Sequence, residues 1–151
     1  MDLKYEFYIA GTPEKVWDVL ITPEGTKEIF YGSIIKSTFK EGDPIAYVGP
    51  GIEGDETVHV YGKVLAFETQ KELTFTHYVG ESYLKGRENY ESRISYLLEP
   101  VGRCTKLTLI HDQWDINNPS YKNSDKAWWM ILNNIKTYIE TGKTLDFGES
   151  A

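Results

Sequence analysis

The residues best able to do chemistry in this sequence are three histidines, His59, His77 and His111, one cysteine, Cys104, and the string Gly49-Pro50-Gly51-Ile52-Glu53-Gly54. No two histidines stand at the one-turn spacing of a helical metal pair, and none is near Cys104, so no metal site is expected. Cys104 has no adjacent base, and nothing resembles a nucleophile elbow or a Cys-His-Asn set. No residue is therefore assigned a catalytic role. The glycine string has the spacing of a dinucleotide-binding loop. Such a loop works only when a helix N-terminus follows it and aims backbone N–H groups at pyrophosphate. Here Thr57-Val58-His59-Val60-Tyr61 follows, which reads as a strand, and Glu53, Asp55 and Glu56 would repel phosphate. The string is read as a hairpin loop, and no cofactor is expected.

His77 and His111 differ from surface histidines in their company. Alternate residues of an extended chain share a face. His77 continues Leu73 and Phe75, and His111 continues Thr105, Leu107 and Leu109. If those faces point inward, both imidazoles reach the interior, either as hydrogen-bonded core residues or as ligand contacts. His111 and Asp112, being adjacent, face opposite ways and make no dyad. Tyr61, Tyr78, Tyr90, Tyr96 and Arg93 also fall on central strands; Tyr90, Ser92, Ile94, Tyr96 and Leu98 share one face and Arg93 the other. Tyrosine combines apolar area with a hydroxyl, which is how ligand pockets are composed. The alternative is a packed tyrosine-rich core, or tyrosine displayed outside. Trp128 reads as an anchor between helix and sheet, with ligand contact as a second role. Trp129, about 100° further round a helix, falls at the border of the buried face.

Periodicity defines the elements that must hold these residues. Leu3, Tyr5, Phe7 and Ile9 alternate with Lys4, Glu6 and Tyr8, as in a half-buried strand. Thr12-Pro13-Glu14 and Thr22-Pro23-Glu24 each offer an N-cap, a proline at the first helical position and an acid in the first turn. Two short helices follow, the second ending near Phe30-Tyr31-Gly32. Strands are expected near 34–40, 44–49, 56–68, 72–79, 89–99 and 104–113. Gly62 is expected to mark a bulge that bends the longest of them. Trp128, Ile131, Leu132, Ile135, Tyr138 and Ile139 then share one helical face, with Gly142 as the stop. Roughly 20 helical residues span about 30 Å, enough to cross an antiparallel sheet.

At 151 residues the chain is expected to form one domain, 1–151, with its core at about 3–143. The 23 acidic residues outnumber 16 basic ones, for a net charge of −7, which argues against nucleic acid and anionic membrane surfaces as partners. No apolar run approaches the roughly 20 residues of a membrane span. The first residues lack the basic and apolar regions of a secretory leader, and one cysteine cannot form an internal disulfide. A cytoplasmic location is expected.

Strand, two short helices, six strands and one long helix, β-α-α-β6-α, is an order that, with these motifs, resembles the START and Bet v 1-like superfamily, also called SRPBCC. Within it, the chain is similar to the branch named for the C-terminal domain of the heat-shock protein 90 ATPase activator. The resemblance is carried by Thr12-Pro13-Glu14-Lys15-Val16-Trp17-Asp18-Val19-Leu20 with Thr22-Pro23-Glu24, and by Phe39-Lys40-Glu41-Gly42-Asp43-Pro44-Ile45. Glu99-Pro100-Val101-Gly102 before Thr105-Lys106-Leu107-Thr108-Leu109, and Trp128 to Lys136 with Glu140-Thr141-Gly142, complete it. It implies an α+β helix-grip fold, a curved antiparallel sheet wrapped around a long C-terminal helix. The family often carries tryptophan where this chain has Phe30-Tyr31, a pair that should flank one mouth of a cavity. The eukaryotic activator also has an N-terminal domain with no counterpart in this sequence.

Three readings of function follow. The first is a non-enzymatic module that binds a small hydrophobic or aromatic molecule, with Phe30, Tyr61, Phe75, His77, Tyr96, His111, Trp128 and Leu132 as its expected cavity residues. The second is a chaperone-linked interaction module, the partner being the chaperone that the family name implies. The third is a cavity enzyme of hydrolase or cyclase type using His and Tyr, as in some relatives. A monomer or a homodimer is compatible with all three.

Overall fold

The computed structural model describes residues 1–148. Its elements run β1 (Leu3–Ile9), α1 (Pro13–Ile21), α2 (Pro23–Ile29), β2 (Ile34–Ser37), β3 (Pro44–Pro50), β4 (Glu56–Glu68) and β5 (Glu72–Val79). After a single 3-10 turn at Glu81–Tyr83 come β6 (Ser92–Val101), β7 (Cys104–Asp112) and α3 (Tyr121–Thr141). The seven strands form one antiparallel sheet in the order β1-β7-β6-β5-β4-β3-β2. The α+β class and the β-α-α-β6-α order are those expected.

Local chemistry sets the helix ends. Thr12 Oγ1 accepts the Lys15 N–H at 3.2 Å and Thr22 Oγ1 accepts the Gly25 N–H at 3.1 Å, with Pro13 and Pro23 opening each helix. Thr26 is fully buried and its hydroxyl accepts the Ile35 N–H at 2.9 Å, which ties α2 to β2. Gly142 ends α3 in the left-handed conformation, its N–H bonded to the Tyr138 carbonyl at 2.8 Å. Ser120 stands at the N-cap of α3 without a capping bond, while Asn118 Oδ1 accepts the Ser120 N–H.

Two strands are shorter than periodicity alone suggests. β2 stops at Ser37, where the Ser37 hydroxyl bonds the Pro44 carbonyl and the Phe39 N–H, and Phe39 turns to positive φ. β6 starts at Ser92 because the Asn89 side chain takes over the local bonding, donating to the Val79 carbonyl and accepting the Tyr90 N–H.

The bend of β4 also needs a correction. Gly62 stays in register opposite Ile45, and the register slips on either side of it. One slip lies between Val58 and Val60, leaving His59 as the extra residue; the other lies between Val64 and Ala66, leaving Leu65. Gly62 serves close approach instead. A Cβ there would lie 1.7 Å from the Thr76 carbonyl oxygen.

The core fills the hollow between this curved sheet and the helices. On α3 the buried residues are Trp128, Leu132, Asn134, Ile135 and Ile139. Ile9, Trp17, Leu107 and Leu109 are buried with them. Asn134 reads as polar in sequence yet is buried, because its Oδ1 accepts the Leu145 N–H at 2.7 Å.

Candidate functional site

Beside the filled core the sheet and α3 enclose a cavity of about 430 Å³, within the range of small-molecule sites. β5, β6 and β7 supply Phe75, His77, Ile94, Tyr96 and His111 to its wall. The N-terminal half of α3 covers it with Ser124, Ala127, Trp128 and Ile131. Phe30 and Tyr31, at the end of α2, and Tyr83, on the turn after β5, stand at its side; Tyr31 and Tyr83 are about half exposed. Among the described residues no Lys, Arg, Asp or Glu side chain lines this cavity.

Of the eight residues expected from sequence, the fold brings six together in this wall: Phe30, Phe75, His77, Tyr96, His111 and Trp128. Tyr61 and Leu132 lie elsewhere. Tyr61 is on the opposite face of the sheet, its ring stacked on Tyr78 at 5.3 Å and its hydroxyl accepting from Asn89 Nδ2 at 3.1 Å. Leu132 is buried in the closed core one turn beyond Trp128. Arg93 takes the outer face as expected and forms a bidentate pair with Asp112, at 2.9 and 2.8 Å.

The two inner imidazoles are joined by a serine. His111 Nε2 lies 2.8 Å from the Ser92 hydroxyl, and His77 Nδ1 lies 3.3 Å from the same atom. On its other side His111 Nδ1 accepts the Trp128 indole N–H at 3.0 Å. Trp114 stacks on His111 at 3.9 Å between ring centres. Burial, opposed by a hydrogen bond between the ring and its own backbone, pushes the His77 pKa down to about 4, and burial followed by the nearness of His77 pushes His111 down to about 2. Both rings are neutral at pH 7.

That neutrality decides what the Ser92–His111 contact can do. A histidine that activates a serine must offer Nε2 as an acceptor, with an acid behind Nδ1. Here an indole donor stands behind Nδ1, so the ring's single proton sits on Nε2 and points at the serine. His111 therefore cannot take a proton from Ser92. Among the described residues neither His77 nor His111 bonds a carboxylate or a phenol.

Among the wall residues that sequence reasoning did not assign are Tyr47, His59 and Tyr83. Tyr47 follows Ile45 on the inner face of β3, so strand alternation could have found it. Among the described residues its buried hydroxyl makes no hydrogen bond of ordinary geometry, and its polar neighbour is the Tyr96 hydroxyl. Burial raises the pKa of Tyr47 and of Tyr96, and the two phenols influence one another. His59 reaches the wall through the register slip in β4, and Tyr83 through an irregular segment, and neither leaves a periodic signal. The two are hydrogen-bonded to each other, and His59 Nε2 donates to the Pro50 carbonyl at 3.1 Å.

Comparison with known proteins places this geometry. The family model described as activator of Hsp90 ATPase homolog 1-like protein matches residues 10–140. No curated protein matches the sequence. The solution structure of the Aha1 dimer from Colwellia psychrerythraea is similar at a TM-score of 0.71 and 22% identity, over 95% of this chain and 98% of that one. ChR145 from Cytophaga hutchinsonii matches at 0.71 and 24% identity, over 92% and 93% of the two chains. MLL2253 from Mesorhizobium loti matches at 0.71 and 19% identity, over 91% and 95%. At these identities the likeness is one of fold, the helix grip.

Proposed function

The chain belongs to the family of activator of Hsp90 ATPase homolog 1-like proteins, and from that premise we propose that it is a binding module, holding a small hydrophobic or aromatic molecule between its sheet and C-terminal helix. The observation that carries this reading is the 430 Å³ cavity, walled by aromatic and aliphatic side chains with a few neutral polar groups among them. Binding would draw on apolar burial: a ligand covering roughly 250 Å² of apolar surface gains about 6 kcal/mol at 25 cal/mol per Å², before the entropy of immobilisation is set against it. The absence of a carboxylate beside either inner imidazole, among the described residues, supports binding over turnover.

Native mass spectrometry of the freshly purified protein, with mass analysis after denaturation, tests the reading. A co-purifying small molecule supports it and identifies the ligand class. An apo mass, together with tryptophan fluorescence unmoved by a broad panel of apolar ring compounds, overturns it. The same spectrum distinguishes monomer from homodimer, the state in which the Colwellia relative was solved.

The family description favours one other reading, a chaperone-linked interaction module. It requires that the purified chain accelerate the ATPase of a heat-shock protein 90. Unchanged ATPase in the presence of excess chain removes it.

A further inference from the structure

Trp128 gives direction to the chain of hydrogen bonds in the cavity wall. An indole N–H can only donate, and this one donates to His111 Nδ1. The single proton of neutral His111 is then on Nε2 and is donated to Ser92 Oγ. The Ser92 hydroxyl, 1% exposed, has its own proton to place. Among the described residues the one acceptor it meets is His77 Nδ1. In competition with a hydrogen bond between the ring and the His77 backbone, that contact holds His77 with its proton on Nε2. That nitrogen bonds no described residue, and His77 stands in the wall of the cavity.

Resting on the ligand-binding reading, we propose that the cavity selects uncharged ring molecules bearing a carbonyl oxygen, which accepts the Nε2–H of His77, while Trp128, His111 and Ser92 act as positioning residues that hold that proton in place. A hydrocarbon of the same shape would leave the N–H buried and unpaired. A charged ligand would lose its hydration against a wall that, among the described residues, holds no ionised partner. Burial keeps both imidazoles neutral, so His77 acts as a donor of one fixed tautomer and not as a cation.

Matched pairs test this: indane against 1-indanone, and fluorene against 9-fluorenone, titrated into the wild-type chain and into His77→Phe. The wild type is expected to bind each ketone up to about tenfold tighter than its hydrocarbon, the size of one well-made hydrogen bond. His77→Phe is expected to bring each pair to parity while still binding the hydrocarbons. Long-range ¹H–¹⁵N spectra of the imidazoles give a readout that needs no ligand. His77 is expected as the Nε2–H tautomer in the wild type and as a mixture in Trp128→Phe, where His111 is free to move its proton. Equal affinities within the pairs, or a wild-type His77 in the Nδ1–H form, overturns the proposal and leaves the binding reading intact. No binding by any of the four compounds counts against the binding reading and this proposal together.

Discussion

Lowering the pH should destabilise this protein through His77 and His111 before any carboxylate contributes. In the unfolded chain a histidine titrates near 6.5. In the folded chain burial holds His77 neutral down to about pH 4 and His111 down to about pH 2. Below about 6.5 the unfolded state therefore binds more protons, and stability falls as pH falls. It is complete above about pH 7, declines between 6.5 and 4 through both rings, and declines further toward 2 through His111. Each unit of pH in that window is worth about 1.4 kcal/mol per histidine. Between about pH 7.5 and 5.0 the fully buried His111 costs about 2 kcal/mol, and His77, beside a cavity that admits water, about 1 kcal/mol. Glu140, held down by the Ala10 N–H and then by Lys136, and Glu6, held down by Lys106 and Lys4, lose their contributions only below the ordinary carboxylate range. The assay is urea unfolding across that range. With a slope of about 2 kcal/mol per M, the loss of about 3 kcal/mol moves the midpoint down by about 1.5 M. His111→Asn, whose amide can still accept from Trp128 but does not titrate, should remove about two-thirds of the shift. A wild-type midpoint that moves by less than about 0.3 M between these pH values would refute the neutral buried pair.

The remaining predictions concern single contacts. Tyr47→Phe deletes a buried hydroxyl whose polar neighbour is the Tyr96 phenol, outside ordinary hydrogen-bond geometry, so stability should hold or rise by up to about 1 kcal/mol in the same urea assay; a clear loss would show that the two phenols are bonded in solution. Gly62→Ala places a methyl group 1.7 Å from the Thr76 carbonyl oxygen and should cost about 3 kcal/mol, the upper end of overpacking. An unchanged thermal midpoint would mean that β4 and β5 part there at little cost. Tyr5→Phe removes the hydroxyl that donates to Asp125 at 2.6 Å but keeps the ring against Trp129, and should cost about 1.5 kcal/mol. A neutral result would assign the contact between β1 and α3 to packing alone.

How much of this was legible in sequence depended on whether a residue sat in a regular element. Thr12-Pro13 and Thr22-Pro23 announced their helices because a cap acts over three residues. His77, Tyr96 and His111 were assigned to the inner face because alternation along β5, β6 and β7 is unbroken there. Tyr61 lies on a strand where alternation assigns no face. The slip at His59 changes which residues of β4 face inward, so a face followed along that strand does not survive it. Ser92 was visible on the right face, yet its position between two imidazoles is a cross-strand relation, set by the pairing of His77 with Ser92 and of Ile94 with His111. Tyr83 comes from a turn, where no period exists to read.

The cavity itself follows from one stripe on one helix. Ser124, Ala127, Trp128 and Ile131 face the space, and Leu132, Ile135 and Ile139 continue the same stripe into the closed core. Where the stripe carries leucine and isoleucine, sheet and helix are packed solid. Where it carries serine and alanine, side chains are too small to reach the strands, and the space stays open. Trp128 stands at the boundary between the two regions. It fills volume toward the core and gives its N–H to His111 on the cavity side, so the residue that anchors the helix also sets the proton position in the wall. Such coupling means that the cavity's polarity cannot be altered at Trp128 without loosening the helix, whereas at His77, at the far end of the same hydrogen-bonded chain, it can. A change at His77 still leaves the buried Ser92 hydroxyl without its acceptor, so ligand preference is read there as the difference within each matched pair, which a common loss of stability does not move.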